Sequence, residues 1–153
     1  MQSINLQKWA LAAEIIGGIA VVVSLIFLIM ETRENTNAVK AQTYQILTSE
    51  LNEIRRELTE PNFAELVTKV RNGGIDSLNE TERYRMIINS QSTFAVYESA
   101  YYSYQRGTLG EDEWERYFTA TCRTRDGREW GPIATNLSVA FRDYVDSECE
   151  LPE

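Results

Sequence analysis

Between Trp9 and Met30 the chain reads WALAAEIIGGIAVVVSLIFLIM, with Glu14 as its one ionisable residue and no proline. From Leu11 to Met30 a helix spans about 30 Å, close to the hydrocarbon thickness of a bilayer. No other stretch of the chain is apolar enough to enclose it, so the pattern predicts a transmembrane helix over 9–30 behind a short flank, 1–8. The apolar core exceeds the 7–15 residues usual for a signal peptide, and ETREN follows it without a small-x-small cleavage site. An uncleaved anchor is expected. Ser3 is placed to cap the helix, and Lys8 with Trp9 suits the headgroup level.

The pattern then changes without a break. Met30 to Pro61 holds neither Gly nor Pro, and Tyr44, Leu47, Leu51, Ile54 and Leu58 recur at spacings that fall on one helical face. The membrane helix is therefore expected to continue as one rod through 31–60. Its outer stripe, too short for a coiled coil, is expected to pack on the chain's own later helices. Those lie in 61–153: a short helix from Pro61 to Gly73-Gly74, then a longer one opened by Asn79 with Glu82 in capping-box register and stopped by Gly107. A third follows over Glu111 to about Arg125, then a turn at Asp126-Gly127. A brief segment spans Trp130–Asn136, and a final helix is capped by Ser138, with SECELPE fraying at its end. No strand period appears. The expected fold is all-α, with one N-terminal transmembrane helix continuing into a domain of about five further helices.

Composition narrows the function. Of 153 residues none is histidine, which removes the commonest general base and metal ligand together. The net charge of −8 lies wholly beyond residue 30, because Lys8 and Glu14 cancel, and such an acidic domain argues against nucleic acid as a partner. No P-loop, GxGxxG, GxSxG or HExxH is present, so no catalytic, cofactor-binding or metal-binding residues are assigned and the protein is read as not an enzyme. Cys122 and Cys149 lack metal or redox spacing, and two buried free thiols are the favoured reading over a disulfide. With Arg33 and Lys40 behind the span, the thiols lean towards a cytoplasmic C-terminal domain.

Two sets of residues stand out. Ala10, Ala13, Gly17, Ala20 and Ser24 place small side chains on one face of the membrane helix, where another helix backbone can approach closely. Glu14, near one end of the span, is read as a boundary carboxylate rather than an ion site. Farther on, Tyr97, Glu98, Tyr101, Tyr104 and Trp114 gather aromatic rings around one acid, a possible ligand or partner surface. Half-buried core packing is the commoner use of such tyrosines.

The order AEIIGGIAVVVSLIFL, ETRENTNAVKAQTYQ, SLNETERYR, FAVYESAYYSYQRGTLGEDEWE and SVAFRDYV resembles a widespread, uncharacterised bacterial family of small single-pass membrane proteins with a C-terminal helical domain. Glu98, Tyr101, Tyr102, Gly107, Leu109 and Trp114 carry the most distinctive part of that likeness. It implies the architecture and a bacterial inner membrane, and no activity. The expected function is association: an accessory subunit of a membrane complex, or a homo-oligomer, with the bilayer and other membrane proteins as partners. The alternative is a membrane-tethered ligand sensor with a Tyr/Trp-lined pocket. A membrane-bound hydrolase would need converging buried carboxylates.

Overall fold

A computed structural model describes residues 2–126 and 130–149, with the side chains of α1 described at Trp9 and from Ala13 onward. Among the described residues there are six α-helices and one 3₁₀ turn, and no strand. They are α1 (Gln2–Thr59), α2 (Pro61–Gly73), the turn Ile75–Ser77, α3 (Glu80–Gln105), α4 (Glu111–Asp126), α5 (Trp130–Ala134) and α6 (Val139–Glu148). The chain divides into two compact units, Met1–Val39 and Lys40–Glu153. The side chains of Ser3 and Lys8, expected as cap and anchor, lie outside what is described, as do the turn residue Gly127 and the last four residues of the tail.

The first unit is a single helix. Three hydroxyls along it, on Ser24, Thr32 and Thr36, each donate to the carbonyl four residues earlier, at 2.7–2.9 Å. Each of these hydroxyls is thereby satisfied within its own helix.

In the second unit the outer part of α1 supplies one wall of the core. Leu47 and Leu51 are buried there, and Tyr44 and Ile54 pack against the same cluster. α3 runs through the middle, with α4 and α5 packed on it. Phe94, Ile133, Phe141 and Val145, from α3, α5 and α6, are fully buried. A smaller cluster of Phe63, Leu66 and Met86 joins α2 to α3, with Leu58 of α1 packed against it.

Local chemistry sets the helix ends. Pro61 occupies the first turn of α2, where its missing N–H costs nothing. The Asn79 side chain accepts from the Glu82 N–H at 2.9 Å while the Glu82 carboxylate accepts from the Asn79 N–H at 3.0 Å, which forms the expected capping box. Lys69 also pairs with Glu82, and this bond, followed by the Asn79 one, holds the carboxyl below its ordinary range. Gly107 ends α3 at φ +71°, a left-handed conformation that Gly adopts without a Cβ clash.

The cysteine expectation is overturned. Cys122 and Cys149 form a disulfide that ties α4 to the end of α6, with Cα atoms 5.3 Å apart. Spacing along the chain carried no sign of this, because the pairing depends on α6 returning its end to α4. The start of SECELPE is likewise fastened rather than frayed: Ser147 and Glu148 are helical and Cys149 is buried. Arg125 reinforces the junction, donating to the Cys149 carbonyl at 3.2 Å and to Asp146 at 3.2 Å, while the Trp130 indole donates to the same Asp146 oxygen at 3.0 Å.

A crosslink across this loop stabilises by roughly 3 kcal/mol on a chain-entropy account. The double variant Cys122→Ser/Cys149→Ser is expected to melt roughly 10 °C lower than the parent in the same detergent, followed by far-ultraviolet circular dichroism. An unchanged midpoint would mean that the bond does not constrain the domain.

Candidate functional site

The first candidate surface is the apolar run of α1. Trp9 is 76% exposed, and Ile15, Ile16, Ile19, Val21, Val22, Val23 and Leu25 through Met30 are all between 44% and 68% exposed. Ala13, Gly17, Ala20 and Ser24 lie on this exposed helix, and a Cβ added to Gly17 would meet nothing within 4 Å. The side chain of Ala10 is outside the described residues. Ser24 spends its hydroxyl on the Ala20 carbonyl, so this face presents small groups and no unsatisfied donor from Ser24. Glu14 is exposed on the same helix.

The second candidate surface is an inward one. Tyr101 contacts Trp114, Phe141 and Tyr144 at centroid distances of 5.8, 5.5 and 5.0 Å, and Tyr104 stacks on Trp114 at 5.4 Å with 11° between the ring planes. Trp114 and Tyr97 are buried. Tyr97 approaches the Thr124 hydroxyl at 3.5 Å. Such offset and tilted pairs add about 0.5–1.5 kcal/mol each beyond the area they bury. These rings are the mortar between α3, α4 and α6, and they meet ring to ring.

Glu98 has a definite partner. Its carboxylate accepts the Ser138 backbone N–H at 2.8 Å, at the position that caps α6. The Ser138 hydroxyl in turn accepts from the Phe141 N–H at 3.4 Å and bonds to the Tyr102 hydroxyl at 2.8 Å. A negative group at a helix N-terminus meets both orphan N–H groups and the positive end of the helix dipole. Glu98 and Tyr102 thus fasten α6 to α3.

Comparison of the chain with protein-family models, with curated proteins and with solved structures finds no match. The chemistry is therefore read from these residues alone. Among the described residues the buried polar side chains are Asn89, Ser90 and Thr121, with no Asp or Glu, and no three His, Cys, Asp or Glu residues gather as a metal site. Burial raises the phenols of Tyr117 and Tyr144 above their ordinary value. Sequence reasoning weighed the cysteine pair and favoured free thiols, which the disulfide overturns, and it passed over a recess beside Tyr117. No local signal marked the recess, because Arg55 and Arg116 lie far apart in the chain and each follows or precedes a stripe residue as an ordinary solvated charge.

Glu98→Ala is expected to cost roughly 1–3 kcal/mol of stability by leaving the Ser138 N–H without its acceptor. Glu98→Gln keeps an acceptor oxygen and should cost less than half as much. Equal losses in denaturant melts would show that charge, not acceptance, is what α6 uses. For the two phenols the folded state favours the protonated form. Their contribution is complete below pH 10.0 and is lost as pH rises through the raised folded values. Ultraviolet titration should show tyrosines ionising above pH 10.0 in the folded protein and reverting to ordinary behaviour in denaturant.

Proposed function

We propose that the chain is a single-pass protein of a bacterial inner membrane that acts by association and carries no catalytic site. In this reading the α1 face containing Ala13, Gly17, Ala20 and Ser24 docks onto another membrane protein or a second copy of the chain, and the helical domain serves as a brace. One observation carries it: α1 is long and apolar enough to cross a membrane, and its side chains from Ala13 to Met30 are exposed. Twelve large apolar side chains from Ile15 to Met30 keep about half their surface uncovered. Leaving them in water would cost on the order of 10 kcal/mol, comparable with the stability of a whole domain. Lipid covers most of such a surface, and a stripe of small residues favours helix contact over lipid contact.

The sensor reading needs a cavity walled by Tyr97, Glu98, Tyr101, Tyr104 and Trp114. Contact between the rings and the engagement of Glu98 by α6 favour association over it. Orientation follows a different cue from the one the charges suggested. A disulfide persists on an oxidising side of a membrane and is rare on a reducing one, so the pairing of Cys122 with Cys149 supports an outward-facing domain. Lys8 then lies on the inner flank.

Solubilised gently, the protein is expected to run as a complex. Gly17→Leu with Ala20→Leu should reduce complex yield roughly tenfold, equivalent to about 1.4 kcal/mol of helix packing. A solitary parent chain, or an unaltered yield in the variant, would remove the proposed interface. The side of the membrane is read by quenching cells with a permeant alkylating agent before lysis. Unalkylated, crosslinked cysteines are expected, and two alkylated thiols would reverse the orientation.

A further inference from the structure

Beside the buried ring of Tyr117 lies a recess of about 150 Å³ within the second unit, between α1 and α4. Its walls carry Tyr44, Thr48 and Arg55 from α1, with Arg116 and Tyr117 from α4, and no carboxylate lines it. On a chain with net charge −8, two guanidiniums bordering one carboxylate-free hollow are a local reversal of sign. Among the described residues neither cation has a close carboxylate partner: Arg116 pairs with Glu113 at 3.9 Å on the same helix and donates its Nε–H to the Asp112 carbonyl at 3.3 Å. Arg55 donates to the Asn52 side-chain oxygen at 3.3 Å, a neutral acceptor.

Both groups are also held in place. The Arg116 guanidinium sits 5.6 Å above the centre of the Tyr44 ring, a cation–π contact, while Asn52 restrains Arg55. Between them the Tyr117 and Thr48 hydroxyls are 3.3 Å apart. Two hydroxyls share one hydrogen in such a bond, so the pair retains a second O–H that is free to donate. The recess thus offers two fork-shaped cationic donors and a hydroxyl donor around a space suited to a small group of oxygens. Guanidinium forks match carboxylate and phosphate oxygens in both geometry and charge, and preorganised donors lose little freedom on binding.

We propose that this recess is a binding site for a compact free oxyanion, a phosphate or a short-chain carboxylate, held by Arg55 and Arg116 and by the hydroxyl pair of Tyr117 and Thr48. The site is independent of whatever covers the apolar face of α1, so either proposal can fail without the other.

The test uses the full chain in a neutral detergent at constant ionic strength, with inorganic phosphate and acetate as separate probes. Arginine Nε resonances of Arg55 and Arg116 should shift saturably with at least one of them. Arg55→Gln and Arg116→Gln should each weaken binding roughly tenfold or more, since each removes a charge-assisted donor. Arg56→Gln, one residue from Arg55 and outside the recess, should leave binding unchanged. Circular dichroism confirms that these exposed substitutions leave the fold intact. Saturation by phosphate alone or by acetate alone supports the site and identifies its preferred oxyanion. Shifts that never saturate, or that persist in both recess variants, or that vanish equally in Arg56→Gln, overturn it.

Discussion

An apolar helix that its own chain does not cover is the constraint on which the rest of this protein depends. Side chains from Ile15 to Met30 are exposed, and the first buried residue described along the same helix is Leu47. A helix satisfies its own backbone hydrogen bonds, so it tolerates an environment without water, and here the hydroxyls of Ser24 and Thr32 are satisfied the same way. The helix asks for an apolar surrounding and brings few polar costs into it. In the proposed reading, the stripe of small residues is where that surrounding would be another helix rather than lipid.

Beyond residue 40 the logic inverts, because there the chain must close a core of its own. α1 contributes Leu47 and Leu51, and α3 supplies the axis on which α4 and α5 pack. α6 is short and would be marginal alone. Three separate devices hold it: the Glu98 carboxylate at its first turn, the fully buried Phe141 and Val145 along it, and the disulfide at its far end. Tyr101, Tyr104 and Trp114 fill the space between these helices with ring-on-ring contact. The residues that look most like a ligand surface in the sequence are thus the residues that hold the domain together.

How much of this was legible depends on the range of the interaction involved. Helix ends were readable because their causes are local: Asn79 with Glu82, Pro61, Gly107 and Ser138 each act within a few residues. The stripe Tyr44 to Leu58 was readable because a 3.6-residue period reports a buried face wherever the partner comes from. By contrast, a single turn such as α5 has no period, and Gly131-Pro132 obscures it further. Glu98 was noticed as an acid among tyrosines, yet its partner lies forty residues on, in another helix. The recess beside Tyr117 was invisible for the same reason. Arg55 and Arg116 each read as ordinary solvated charge until α1 and α4 are packed together.

By itself, then, the sequence determined the all-α class, the long apolar helix, the run of helix ends and the absence of histidine chemistry. Composition, periodicity and capping act over short stretches of chain and need no tertiary context. Only the tertiary structure decided that Cys122 meets Cys149, that Glu98 receives the start of α6, and that two arginines border one hollow in an acidic domain. Each of these is a meeting of residues distant in sequence, and the angle at which helices pack sets such meetings. Helical periodicity says which face is buried; it does not say against what.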